Sequence, residues 1–470
     1  MTSPIRKLPK AAAIYATGDI LIRAANFFLL PLLTHYMSPR EYGILGSVTP
    51  FTLFLGLILQ LNLNVAMMRF YGDFDDENKR RQFTGTLMLF TLAWASLLVV
   101  LLNILGPALL NHIYREVRFE PYLRVGTWIA LCNTIGILPL AMLQMQQRPG
   151  MHRLFAMSTF ALNAGFTLFF VIYLRMGAYG ALLGQLIGAG AAAGAYLVLI
   201  RRHIELKIVR NMLKLCLAFS LPLLVCALGG WAMDTSNRIF IERLISLDQL
   251  GLFNLASQFS MILTYLLSGV GLAFAPLFYE TVKMPGGKAV LARFGVLYIA
   301  AAAGFTLAVA VFSGPAIRLL TQPRFHDSAR IVPILALTQA LTAFWQLIVY
   351  PVMLKERTSW LMILVLISAA ISIGLNFWLV PVFGVIGAAL ASLGGNLVLN
   401  AIVFLLSRRV YPVPYDYRRM GIALIVALAL YLPASASPSI PLRLVLVAVY
   451  PVLLLAFGVV SREQIRRLVR

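Results

Sequence analysis

PREYGILGSVTPFTLFLGLILQLNLNVAMMRFYGD, residues 39–73, is the stretch on which the fold turns. Most of it is an apolar run long enough to cross a bilayer, which takes about 20 residues. It has a partner later in the chain. LDQLGLFN (247–254) answers PREYGILG (39–46), and LFYE (277–280) answers RFYGD (69–73), both at an offset of 208. Inside the run, Gln60, Asn62 and Asn64 alternate with apolar residues. Such a pattern cannot occupy one face of a helix and predicts a bend or a protein-facing position.

The rest of the chain extends this reading. Of 470 residues, 60% are hydrophobic and 12% charged, and the mean hydropathy is +0.86. Soluble domains carry roughly 25% charge, so the composition is that of a membrane protein. Apolar runs recur end to end, which excludes a soluble enzyme on a single anchor. No secretory signal with a small-residue cleavage site precedes the first run, so that run is expected to stay as a span. The three cysteines, Cys132, Cys216 and Cys226, lie in or beside apolar runs and do not suggest a disulfide framework.

The predicted spans are 12–34, 43–68, 84–106, 122–145, 154–174, 178–200, 214–237, 249–274, 291–313, 329–353, 359–381, 384–406, 418–435 and 441–460. Loop charge tests this count. Of the 39 basic residues, 27 fall in segments on the N-terminal side of the bilayer, including all eight lysines, and ten on the other. Basic residues in short loops mark the cytoplasmic side. The expectation is a multi-pass membrane protein with both termini cytoplasmic. The two remaining bases, Arg23 and Arg238, lie within spans. The net charge of +22 therefore belongs to membrane topology, and no nucleic acid is implied.

A second pair of matches supports duplication. GAYGALLG (177–184), whose run ends at Arg201-Arg202, aligns with GVIGAALA (384–391), whose run ends at Arg408-Arg409, at an offset of 207. Six spans separate the copies, so both keep one orientation, as parallel repeats do. The expected fold is an all-α polytopic membrane protein of about fourteen helices. It comprises two pseudo-symmetric six-helix bundles, 1–210 and 211–410, and two added helices with a basic tail, 411–470. A cavity between the bundles would be the substrate route.

Charged groups inside a span are costly at any published estimate, from about 2.5 to over 10 kcal/mol, and so are not expected to face lipid. Asp19 and Arg23 stand one turn apart on one face of the first helix, with Asn26 in the same sector. The seventh helix carries Asp234, Asn237 and Arg238, and the offset of 208 sets Asp234 on Asn26. Two readings stay open: an internal ion pair that fastens each helix, or a lumenal cationic site held by the acids. Arginine grips phosphate bidentately in a way lysine does not, and two arginines facing each other suit a pyrophosphate. Asp19 and Asp234 are the candidate ion-coupling or structural partners. Gln60, Asn64, Gln258, Gln339 and Gln346 are candidate lumen groups or interhelical hydrogen bonds. Glu242 and Arg243 are expected at the membrane interface.

Other chemistries find little support. The five histidines lie at span ends or in loops without metal-ligand spacing. No glycine-rich phosphate loop occurs, and no loop is large enough for a catalytic domain. No cofactor is expected, and transport fits better than catalysis.

The polar first helix, then LLPLLTHYMSPREYGILGSVTPF and the RFYGD ending of the second helix, resembles bacterial polysaccharide flippases. These belong to the multidrug/oligosaccharidyl-lipid/polysaccharide exporter superfamily. The resemblance covers residues 12–406. It implies movement of undecaprenyl-pyrophosphate-linked oligosaccharide repeat units to the outer leaflet for O-antigen or exopolysaccharide synthesis. Arg23 and Arg238, with Asn26 and Asn237, would meet the pyrophosphate, and the last two helices would border a groove for the lipid tail. It also implies a monomer working beside a polysaccharide polymerase or glycosyltransferases, in contact with membrane lipid. The fourteen-helix lipid II flippase branch is the alternative within the superfamily. A non-transporting scaffold of a membrane polysaccharide synthase is the alternative outside it.

Overall fold

The computed structural model describes residues 21–74, 76–354 and 358–460. The chain is helical throughout these residues and forms two compact units, Met1–Gly251 and Leu252–Arg470. Eleven helices among the described residues are long and apolar enough to cross a membrane. An all-α polytopic membrane protein is therefore what the chain builds.

In the first unit, α1 runs over 21–36, so Asp19 lies outside the described residues. Then come α2 (Pro39–Gln60), α3 (Leu63–Phe70), α4 (Glu77–Ile113), α5 (Arg124–Met145), α6 (Pro149–Leu168), α7 (Gly177–Ile200) and α8 (Arg210–Leu244). The start of α2 is encoded locally. Ser38 caps the helix, its Oγ accepting from the Glu41 amide at 3.2 Å, while Glu41 Oε2 accepts from the Ser38 amide at 2.7 Å. Pro39 fills the first position, where no amide hydrogen is needed.

The bend expected around Gln60–Asn64 is a full break. Leu61 and Asn62 both take positive φ, 50° and 57°, and divide α2 from α3. A break at this depth frees backbone acceptors where no bulk water reaches. Trp94 on α4 answers one of them, its indole N–H donating to the Ile58 carbonyl at 3.1 Å. Below the break, Met67, Phe83, Met142, Ile200 and Cys216 bury a shared core.

The 214–237 segment, despite its polar residues, is one continuous helix of 35 residues. α8 packs against α2, α3 and α4. Trp231 seats it, donating to the Pro50 carbonyl at 3.0 Å and lying 4.7 Å from the Phe54 ring. α8 thus belongs to the first compact unit, although the expected division at residue 210 would set it in the second bundle.

The second unit contains the rest of α9 (Leu247–Thr281), then α10 (Gly287–Leu320), α11 (Val332–Leu354), α12 (Thr358–Val410), α13 (Tyr417–Ala436) and α14 (Ile440–Ala456). Expected spans 359–381 and 384–406 appear as one helix of 53 residues, interrupted by Gly384 at φ 60°, ψ −137°. That region is open essentially to glycine alone. The halves fold back on each other, Gly387 lying on the Leu379 carbonyl and Gly395 on Ser372. α14, 17 residues long, packs with α13 on α10, and Tyr450 donates to the Ala300 carbonyl at 2.9 Å.

Candidate functional site

Two corners of the first unit set the height of the candidate residues. α1 ends at residue 36 and α8 at Leu244; α2 begins at Pro39 and α9 at Leu247. Both pairs differ by 208, the offset found in the sequence. The corners also touch reciprocally. A Cβ on Gly43 would run into the Leu247 carbonyl, and one on Gly251 into the Pro39 carbonyl. The glycines of PREYG and LDQLG are thus the points where two helix backbones meet, and the four residues are related in pairs by the offset.

With the corners level, the arginines are not. Arg23 stands thirteen residues before the end of α1, about 20 Å at 1.5 Å per residue, and Arg238 six residues before the end of α8, about 9 Å. The stagger is about 10 Å along the helix axes. The expected face-to-face arrangement of two arginines is replaced by two cationic positions at different depths. Both lie in the same compact unit.

Arg23 and Asn26 are exposed on α1. On α8, Asp234 is exposed, Asn237 is buried and Arg238 is half-buried. Arg238 Nη1 donates to the backbone carbonyl of Asp234 at 3.2 Å. The i, i+4 spacing thus brings the guanidinium back to the turn that carries Asp234.

The secondary polar candidates divide. Gln339 Oε1 accepts from Thr264 at 2.7 Å, a hydrogen bond between α9 and α11 that acts as interhelical glue. Gln60 is buried and Asn64 half-buried on either side of the α2–α3 break, and neither side-chain carbonyl has a hydrogen-bond partner among the described residues. Gln258 is exposed and Gln346 half-buried. Asn376 and Asn396 turn back on their own helix, donating to the Ser372 and Ser392 carbonyls at 2.8 and 3.1 Å. Among the described residues no cluster of three or more His, Cys, Asp or Glu could hold a metal.

Glu242 departs from the sequence reading. Arg243 is exposed, as an interfacial residue would be, but Glu242 is only 1% exposed. Its carboxylate accepts from three consecutive backbone amides, Arg115 at 3.1 Å, Glu116 at 2.5 Å and Val117 at 3.0 Å. The donors are main-chain groups, so no residue type in the 114–118 loop announces them.

The second unit holds an apolar cavity of about 610 Å³. α10, α11, the second half of α12 and α13 line it, with Leu337, Phe344, Leu397 and Leu424 on the walls and Thr306 and Tyr431 the polar exceptions.

Comparison with known proteins fits this architecture. Residues 8–282 match the family described as polysaccharide biosynthesis protein. A Haemophilus influenzae protein, Lsg locus putative protein 1, is 20% identical over 283 residues, 59% of this chain and 67% of that one. Among solved structures, lipid II flippase MurJ in an inward closed conformation superposes with a TM-score of 0.71 at 14% identity, covering 97% of this chain and 100% of that one. An inward-facing multidrug resistance MATE family transporter of the MOP superfamily gives 0.63 at 16% identity, covering 84% and 97%. These likenesses are of fold. The chain belongs to the polysaccharide biosynthesis protein family and has the fold of the multidrug/oligosaccharidyl-lipid/polysaccharide exporter superfamily.

Proposed function

We propose that this protein is a flippase that carries polyprenyl-pyrophosphate-linked oligosaccharide repeat units from the cytoplasmic to the outer leaflet of a bacterial inner membrane. The observation that carries the reading is the polar stretch of α8, where Asp234, Asn237 and Arg238 follow a long apolar run in the same unit as Arg23. Such a stretch in hydrocarbon needs a charged or hydrated partner, and a pyrophosphate supplies one. The stagger of about 10 Å suits sequential contact. The headgroup meets Arg23 deep in the span, then Arg238 nearer the outer end, and Asn26 and Asn237 border the two positions. Asp19 and Asp234 are the acids available for coupling to an ion gradient.

In this reading the chain crosses the membrane fourteen times with both termini cytoplasmic. α12 makes two passes about Gly384, and α1 and α14 one each. The duplication divides the chain at 1–210, 211–410 and 411–470, and alternating access comes from rocking of the first two parts. α8 packs on the first part although it begins the second, so it changes partners during the cycle. The apolar cavity walled by α13 takes isoprenoid tail. The protein works as a monomer, with polymerase or glycosyltransferases as neighbours.

Arg23→Ala and Arg238→Ala variants that insert normally should each lower surface-polymer export at least tenfold, and Lys at either site should restore only part of it. Full export by either alanine variant would refute the pyrophosphate assignment. Cysteines at Ser38 and Asn78 should label from opposite sides of the membrane. The extent of the likeness to the lipid II flippase favours lipid II as the second reading of the load. Rescue of a strain depleted of its lipid II flippase, without effect on surface polysaccharide, would decide for it.

A further inference from the structure

We infer that Glu242 is a positioning residue of transport, a releasable lock that seats the outer end of α8 in the 114–118 loop and has to let go for the load to leave. The inference extends the transporter reading above and takes its orientation, but does not depend on the pyrophosphate assignment.

The geometry is that of an anion site filled by the protein's own side chain. Three consecutive amides converging on one carboxylate make a main-chain nest, and such charge-assisted bonds are stronger than neutral ones. The position is 1% exposed, so the bonds offset the cost of burying the charge. Glu242 lies four residues beyond Arg238 and eight beyond Asp234, on the same face of α8. Its seat therefore fixes the height and rotation of the face that carries the candidate site. Two residues further on α8 ends at Leu244, and α9 begins at Leu247 with the turn that meets α2 through Gly43 and Gly251. A second contact braces the loop from the other side, Arg40 pairing with Glu116 at 3.0 Å.

Two features suit a lock rather than a permanent weld. Glu242 is the sole side chain in the three bonds, so one residue holds the seat. It also joins the first helix of the second repeat to a loop of the first, the junction that rocking of the repeats has to open. While the seat is filled, α8 cannot leave the first unit at this end.

The test separates release from static bracing. In a background with Cys132, Cys216 and Cys226 replaced by Ala that still exports, cysteines at the exposed positions Arg115 and Arg243 are bridged by a short cleavable bis-maleimide. The expected result is a loss of surface-polymer export of at least tenfold on bridging, recovered on cleavage, with each single cysteine harmless. Bridged protein that exports at the unbridged rate would overturn the inference, because α8 would then stay seated throughout the cycle. Accessibility gives an independent reading. A cysteine at Ser236, buried on α8, should react with an impermeant maleimide from outside at least fivefold faster in Glu242→Gln, and within twofold of the parent rate in Glu242→Asp. Equal rates in the Gln variant and the parent would likewise overturn it. Should Glu242→Gln fail to insert, the bridging experiment, which leaves Glu242 intact, still decides. Export lost on bridging but kept in Arg238→Ala would leave the lock standing and remove the pyrophosphate reading alone.

Discussion

The α1–α2 corner and the α8–α9 corner share a backbone register and differ in their polar load. Both turn at the same register, and each places a glycine against the other's main chain. The first is closed by a full capping box from Ser38 and Glu41. The second has the simpler arrangement, Ser246 Oγ accepting from the Gln249 amide at 3.3 Å, and adds the Glu242 seat. The arginine that precedes the corner sits thirteen residues back in one case and six in the other. The two corners agree where backbone contact demands it and differ in the polar residues around it.

Breaking the shared backbone contact should have the largest effect. Gly43→Val or Gly251→Val drives side-chain carbon into a carbonyl that belongs to a helix, and overpacking typically costs about 1–3 kcal/mol, with a rigid backbone contact at the upper end. Thermal unfolding of detergent-solubilised protein, followed by size-exclusion, should show loss of the monodisperse species for both. Gly56→Val, where no atom lies within 4 Å of an added Cβ, should behave as the parent. If one corner glycine tolerates valine, the reciprocity fails.

A smaller effect is expected at the other duplicated pair, Gly177 and Gly384, with φ of 55° and 60°. Alanine in such backbone costs about 1–2 kcal/mol, so each variant should unfold several degrees earlier by the same assay. Gly384 should be the more sensitive to strain because its ψ of −137° lies outside the ordinary left-handed well. Gly177 has instead the Glu41 side chain against it. Ser38→Ala should cost about 1 kcal/mol, the usual value for a lost N-cap, and more than Ser246→Ala, which has no reciprocal bond to lose. Least of all, Arg40→Ala removes an ion pair whose arginine is 58% exposed. A change within about 0.5 kcal/mol is expected, and a larger one would mean that the 114–118 loop depends on it.

Much of this was legible in the residues. The span pattern follows from hydropathy alone, and the break at Leu61–Asn62 follows from Gln60, Asn62 and Asn64 refusing a common helical face. The capping box was also legible, as Ser38 with Glu41 three residues later and Pro39 between. The stagger of the two arginines follows from the offset of 208, which carries Arg23 to Trp231 and not to Arg238, yet the two were expected face to face. Other features were not. Glu242 looked interfacial because its partners are amides of Arg115, Glu116 and Val117, and main-chain donors leave no trace in a sequence. That α8 would pack with the first unit was hidden for a similar reason, because Trp231 binds the carbonyl of Pro50 rather than a recognisable side chain.

The break in the second crossing bears on how the protein is made. A helix can enter the bilayer alone when it satisfies its own backbone hydrogen bonds. α2 and α3 do not meet this condition as a unit, because the Ile58 carbonyl is satisfied by the indole of Trp94, one crossing later in synthesis. The second crossing is therefore incomplete when it first reaches the translocon. It becomes fully lipid-compatible only when α4 arrives beside it, so the two segments are expected to leave the translocon as a pair.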